Sequence, residues 1–313
     1  MPADRTTTAA VDSTDDSTDA GVDAAVDVTA GLLRRWPLPE PGKDKESRGR
    51  VLVLGGTAST PGAVLLAGEA ALRAGGGKLQ IATAEPVASA LAVAAPESLV
   101  APLPTDRGGN IDPGAADEVL CLSDGCDALL VGPGFSDVDA SVHLLEHLLP
   151  QLTCPVVVDA LGSAYVTAHR DGLAHLGGRA VLTLNPDELA KTLGIEAGEV
   201  EDGPAAAALR LAREATAVVV CGGQGKTVAA PDGRLWTSSS GNPGLGVSGS
   251  GDVQAGIVAG LLSRGAEPEQ AAVWGGHLHG SAGDRLAKEV GTLGFLAREI
   301  AGCVPRLLDE LSP

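Results

Sequence analysis

The residues best placed to do chemistry lie late in the chain, in the segment Asn242-Pro-Gly-Leu-Gly-Val-Ser-Gly-Ser-Gly-Asp252. An apolar stretch at helical spacing, 253–262, follows it. Gly249, Ser250 and Gly251 carry little or no side chain at a predicted helix start, where unpaired N–H groups and the helix dipole favour negative charge. The segment predicts an anion hole with Asp252 at its mouth, in the first helical turn. A helix cap alone would explain an aspartate there, but not three small residues immediately before it. A carboxylate beside a phosphate-binding nest fits a base that deprotonates a hydroxyl about to meet a phosphoryl group.

Two further glycine clusters imitate nucleotide signatures and fail. In Gly223-Gln-Gly-Lys-Thr227 the first glycine of a GxxxxGK[ST] loop would fall on Val220, inside a predicted strand. Gly244-Leu-Gly246-Val-Ser-Gly249 spells GxGxxG, but it follows Asn242-Pro243 late in the chain instead of opening a first βα turn. Val131-Gly-Pro-Gly-Phe135 is different, because it ends a predicted strand at the sheet edge where open α/β sheets bind ligands.

Positioning such a loop requires a sheet, and the pattern supplies one. Short β-branched runs occur at 51–54, 78–83, 128–131, 155–159, 181–184 and 217–220, most of them separated by stretches of helical spacing such as 63–74 and 143–149. This predicts βαβ crossovers and a mostly parallel sheet covered on both faces. Residues 227–236 read as a hairpin turning at Asp232-Gly233. Helices are expected at about 252–263, 269–289 and 296–311. Residues 1–31 form the expected disordered acidic tail: seven Asp and one Arg fall in the first thirty positions, with no aromatic residue. Residues 32–313 form the expected single domain.

The 313-residue chain is 44% hydrophobic but only 2% aromatic, so its core must be closely packed Ala, Val and Leu. A formal net charge of −18 opposes binding to nucleic acid or an anionic membrane surface. No run is long enough for a membrane span and no signal peptide is visible, so a cytoplasmic location is expected. The cysteines, five in number with no CxxC pair, exclude a disulfide framework and a zinc site. His277 and His279 are two apart and make a poor metal pair. Cys221 reads as a small buried strand-end residue.

In their order, Arg50-Val-Leu-Val-Leu-Gly-Gly56, Pro61-Gly-Ala63, Gly132-Pro-Gly134, Val158-Asp-Ala-Leu161, the Asn242–Asp252 segment and His279-Gly-Ser-Ala-Gly-Asp284 resemble the NAD(P)H-hydrate dehydratases. The resemblance covers about 37–311. It implies a ribokinase-like three-layer α/β/α sandwich that uses ADP or ATP, with Mg2+ bridging phosphates. The hydroxyl of hydrated NADH or NADPH is phosphorylated and phosphate is then eliminated. It further implies Asp252 as base, with Ala63, Gly134 and Asn185 at the hydrated nicotinamide. The nucleotide would lie against Gly222, Gly223, Gln224, Gly225, Lys226, Thr227, Asn242, Gly249, Ser250 and Gly251. No side-chain cage for metal is visible, and a homo-oligomer is expected from the family.

Two departures stand out. Where the family usually has His in a Thr-Pro-His-Pro strand end, this chain reads Thr183-Leu-Asn185-Pro186. Where the family has Lys-Gly-Ala, it reads Cys221-Gly-Gly-Gln-Gly-Lys226-Thr227, apparently lengthened. Lys226 is the candidate replacement cation, reaching in from the longer loop. Two alternatives stay open: a kinase of the same superfamily that stops at the phosphate ester, and a nucleotide-binding protein that has lost turnover.

Overall fold

Strand residues sort themselves by parity. Along β2 (Arg50–Leu54), Val51 and Val53 enter one apolar core while Leu52 and Leu54 enter the other; Leu130 and Leu129 of β5 (Ala128–Val131) divide in the same way. Side chains that alternate between two buried faces are what a sheet covered on both sides demands. This computed structural model describes residues 25–223 and 225–312.

The remaining strands are β1 (Val26–Asp27), β3 (Lys78–Ala84), β4 (Ser98–Leu103), β6 (Val156–Asp159), β7 (Ala180–Leu184), β8 (Val218–Cys221), β9 (Lys226–Ala229) and β10 (Leu235–Ser238). Their spatial order is β1-β10-β9-β8-β7-β6-β5-β2-β3-β4. Pairing is parallel from β8 through to β4 and between β1 and β10; β9 runs antiparallel to both of its neighbours. The β9–β10 hairpin is the one expected, turning through Asp232-Gly233.

Helices α1 (Ala30–Arg35), α2 (Gly62–Arg73) and α3 (Glu85–Ala94) precede α4 (Ala116–Ser123), α5 (Val138–Leu148), α6 (Ser163–Ala168) and α7 (Pro186–Leu193). Then come α8 (Ala197–Asp202), α9 (Pro204–Ala215), α10 (Ser250–Ser263), α11 (Pro268–Glu289) and α12 (Ala297–Leu311). One layer holds α2, α10, α11 and α12; the opposite layer holds α4, α5, α6, α7 and α9. Within the first layer α2 and α10 touch through their backbones. A Cβ on Gly256 would collide with the Ala67 carbonyl, and one on Gly260 with that of Ala71. Among the described residues no helix is long and apolar enough to cross a membrane.

The expected tail boundary at residue 31 is corrected. Val26 and Asp27 pair with Trp236 and Thr237, Thr29 caps α1, and Val28 and Leu33 are buried. Acidic composition does not keep this segment apart, because the open edge of β10 supplies unpaired backbone groups to bind it. The segment is then tied down by aromatics. Trp36 stacks on Trp236 with centroids 5.9 Å apart, and its carbonyl accepts from Trp274 Nε1 at 3.0 Å. The rest of the expected tail, residues 1–24, lies outside the described residues. Strand β4 went unread because it is an edge strand, with Leu99 exposed and Pro102 inside it.

Candidate active site

The site forms where the parallel strands end and α10 begins. Gly249 enters that helix at φ 90°, a left-handed conformation that glycine adopts without strain. A Cβ there would also lie 2.5 Å from Leu66 of α2 and 3.3 Å from Ala297 of α12. Among the described residues no acceptor meets the N–H groups of Gly249, Gly251 or Asp252. A Cβ on Gly251 would meet nothing within 4 Å, so the helix start is uncrowded there.

The expected role of the Ser250 amide is corrected: it donates to the Val247 carbonyl at 3.1 Å, inside a turn. The cradle is therefore Gly249, Gly251 and the Asp252 amide. Ser250 is buried, its hydroxyl 2.9 Å from His279 Nε2. Asn242 is likewise committed to the loop itself. Its Oδ1 accepts from the Gly244 N–H at 2.9 Å, and its Nδ2 donates to Asp284 at 3.2 Å.

On one side of the cradle lie Ala63 and Gly134, which the fold brings together. A Cβ on Gly134, at φ 72°, would stand 3.0 Å from that of Ala63 and 2.6 Å from the Thr60 carbonyl. The loops after β2 and β5 hold each other directly. Gly56 N–H donates to Pro133 O at 2.8 Å, and the Thr60 hydroxyl donates to Gly134 O at 2.6 Å.

On the other side are two carboxylates that the sequence analysis did not single out. Asp159, at the end of β6, is buried and accepts from the Thr183 hydroxyl at 2.7 Å. Burial, then the charge of Asp252 and that of Glu188, push its pKa up to about 8, against the pull of the Thr183 bond. Glu188 belongs to a capping box on α7: its side chain accepts from the Asn185 N–H at 2.9 Å while Asn185 Oδ1 accepts from the Glu188 N–H at 2.9 Å. Burial raises the Glu188 carboxyl too. The pattern Asn185-Pro-Asp-Glu188 was a readable capping signal, but nothing local says that it faces Asp252. Asn185 thus stands at the strand end as expected, with its carbonyl oxygen used by the helix. Asp252 itself is pushed up to about 6 by burial and by Glu188.

Lys226 does not reach in from a loop. It is the first residue of β9, which runs antiparallel to β8, and its Nζ would lie 3.4 Å from a Cβ on Gly222. Burial lowers its pKa to about 8, against the opposing effect of Cys221. Thr227 is buried within the sheet, paired with Cys221 and Thr237, and Gln224 lies outside the described residues. The β8–β9 turn joins antiparallel strands, so the P-loop lookalike is excluded by topology as well as by spacing. Cys221 is buried, with a thiol raised to about 11 by burial. Among the described residues no three His, Cys, Asp or Glu side chains form a metal cage.

The fold, a mostly parallel α/β/α sandwich with free backbone amides and a carboxylate at the sheet's carboxyl edge, is shared with a ribokinase-like superfamily protein of Enterococcus faecalis at a TM-score of 0.75 and 21% identity. The profile of the NAD(P)H-hydrate dehydratases matches residues 51–306, and the chain belongs to that family. It is 48% identical over 286 residues to an ADP-dependent (S)-NAD(P)H-hydrate dehydratase of Xanthomonas campestris, covering 91% of this chain and 96% of the relative. It is 36% identical to a bifunctional NAD(P)H-hydrate repair enzyme of Moorella thermoacetica, covering 88% of this chain but only 52% of that protein. The chain thus spans about half the length of the bifunctional relatives it matches. Among solved structures it resembles the Bacillus subtilis ADP/ATP-dependent NAD(P)H-hydrate dehydratase co-crystallised with ATP and Mg2+. That match has a TM-score of 0.77 and 27% identity, over 92% of this chain and 99% of the other.

Proposed function

We propose that this chain dehydrates hydrated NADH and NADPH, using ADP or ATP to turn the ring hydroxyl into a leaving group. The observation that carries the reading is the free-amide cradle at Gly249, Gly251 and Asp252, with the Asp252 carboxyl raised to about 6. Hydroxide leaves poorly and phosphate leaves well. Asp252 takes the hydroxyl proton as the hydroxyl oxygen attacks the terminal phosphorus of the nucleotide. The bond from that phosphorus to the bridging oxygen breaks, releasing AMP from ADP or ADP from ATP. The cradle amides receive charge from the transferring phosphoryl group. The ring nitrogen lone pair then expels phosphate, a ring proton is lost, and the reduced nicotinamide is restored. A base near pH 6 is mostly deprotonated at neutral pH yet still basic enough to accept a proton.

The nicotinamide would lie against Ala63 and Gly134, where small residues admit a flat ring to the backbone. Glu188 would offer hard oxygen to a magnesium ion. That ion would neutralise phosphate charge. Lys226 fits as the cation beside the nucleotide phosphates, because among the described residues no carboxylate pairs with it. A substrate drawn from the reduced nicotinamide pool supports a cytoplasmic location.

The test is to incubate protein, hydrated NADH and Mg2+ with ADP or ATP and follow return of the reduced-nicotinamide absorbance, with Asp252→Asn as control. Nucleotide-dependent recovery that the variant lacks supports the reading. A stable phosphorylated alcohol in place of recovered NADH would overturn it in favour of a kinase.

A further inference from the structure

The loop from Ser240 to Ser250 delivers the cradle, and α11 grips that loop at both ends. At its start Asp284 accepts from the Gly241 N–H at 3.0 Å and from Asn242 Nδ2 at 3.2 Å. Gly280 lets α11 approach closely, since a Cβ there would fall 2.6 Å from the Ser240 carbonyl. In the middle, a Cβ on Gly283 would fall 2.6 Å from Leu245. At its end His279 meets Ser250, and this contact has no part in the mechanism above.

His279 is 2% exposed. Its Nε2 stands 3.0 Å from the Ser250 carbonyl oxygen and 2.9 Å from the Ser250 hydroxyl. A carbonyl only accepts, so the proton is on Nε2 and the tautomer is set. Nδ1 is then a bare acceptor, buried and without a described partner. Simple packing between α10 and α11 would favour an aliphatic residue like the neighbouring Leu278 over an imidazole with an orphaned nitrogen. Burial, with the Lys226 charge behind it, holds His279 well below its ordinary pKa and keeps it neutral. Ser250 is consequently held at both ends, with its N–H on the Val247 carbonyl and its carbonyl and hydroxyl oxygens sharing the one Nε2 proton of His279. Its neighbours Gly249 and Gly251, by contrast, have amides with no described acceptor.

We propose that His279 is a positioning residue for phosphoryl transfer: through Ser250 it fixes the first turn of α10, and so aims the cradle amides and Asp252. The inference rests on the cradle reading, but its experiment separates the two. If Asp252→Asn stays active, the cradle reading fails; the His279 variants test the grip alone. The geometry of a charge-receiving site matters most in the transition state, so the effect belongs in kcat. His279→Leu, which keeps bulk and loses the donor, should lower kcat roughly 30-fold, in line with the cost of small misplacements at a reacting centre. The nucleotide KM should stay within about threefold, because ground-state binding depends on more contacts than this turn. His279→Gln, whose amide N–H can reach the Nε2 position, should restore most of kcat. Should His279→Leu fail to fold, His279→Asn is the substitute, since its amide is too short to reach Ser250. A leucine or asparagine variant with undiminished kcat, a change confined to KM, or a glutamine variant no better than leucine would each overturn the proposal.

Discussion

On one bank of the cradle, the loops after β2 and β5 hold each other backbone to backbone, through Gly56 on Pro133 and Thr60 on Gly134. On the other, the end of β6, the first turn of α7 and the start of β9 carry Asp159, Glu188 and Lys226, none of them in an ion pair among the described residues. The first bank is shaped by backbone and small side chains; the second is built of titratable groups with no ion-pair partner among the described residues. A flat ring asks for shape, whereas phosphates and their counter-ion bring charge of their own. Unmatched buried charge is costly without a ligand, and burial accordingly raises these carboxyls and lowers the lysine.

Asp252 stands between the banks, and removing it should have the largest effect. Asp252→Asn should cut kcat by roughly 10²–10⁴-fold, the usual worth of a positioned base. Its melting temperature should rise at neutral pH. A carboxyl raised in the folded state opposes folding once pH exceeds the unfolded value, so neutralising it relieves a penalty. Paired activity and thermal-melt measurements check both signs.

Next comes the charged bank alone. Lys226→Met should weaken ADP and ATP binding about tenfold, the scale of one charge-assisted contact, while leaving the Asp252 ionisation in place. Calorimetric titration with each nucleotide would remove Lys226 from the site if the affinity were unchanged. In the parent protein kcat/KM should rise with pH through about 6 as Asp252 deprotonates, and fall through about 8 as Lys226 loses its proton. The alkaline limb should vanish in the methionine variant; its persistence would assign that limb to another group.

The smallest change probes the shaped bank. Gly134→Ala forces a Cβ to within 2.6 Å of the Thr60 carbonyl at φ 72°. It should cost roughly 1–3 kcal/mol of stability and raise KM for the hydrate, with nucleotide affinity intact. An equal loss of nucleotide affinity would show that the banks are not separable.

The elements of the shaped bank were legible in the chain because glycines in strand-end turns announce themselves: α2 opens at Gly62, β5 ends just before Gly132-Pro-Gly134 and α10 opens at Ser250, close to the predicted bounds. The charged bank was harder to read. Asp159 and Glu188 sit in segments whose local patterns, a β-branched strand and a capping box, are complete without reference to Asp252. Only the parallel order of β6 and β7 brings them near it. The amide of Ser250 was misassigned for a related reason: small size suggested openness, while the turn to Val247 and the contact with His279 come from tertiary packing. The acidic start misled as well, since Val26 and Asp27 owe their strand to the edge of β10 and not to their own composition.

The glycine contacts between α2 and α10 have a further consequence. Ala63 and Asp252 ride on helices joined main chain to main chain at Ala67 with Gly256 and at Ala71 with Gly260, leaving no side chain between them to flex. On the proposed reading, the distance from the ring site at Ala63 to the base Asp252 is thus a property of one rigid strut. Phosphorylation and elimination need the same ring held against the same carboxylate in succession, and the strut keeps that spacing constant across both steps. Any closing over the nucleotide falls to elements outside this pair, so variants that loosen the strut should uncouple the two half-reactions and release the phosphorylated intermediate.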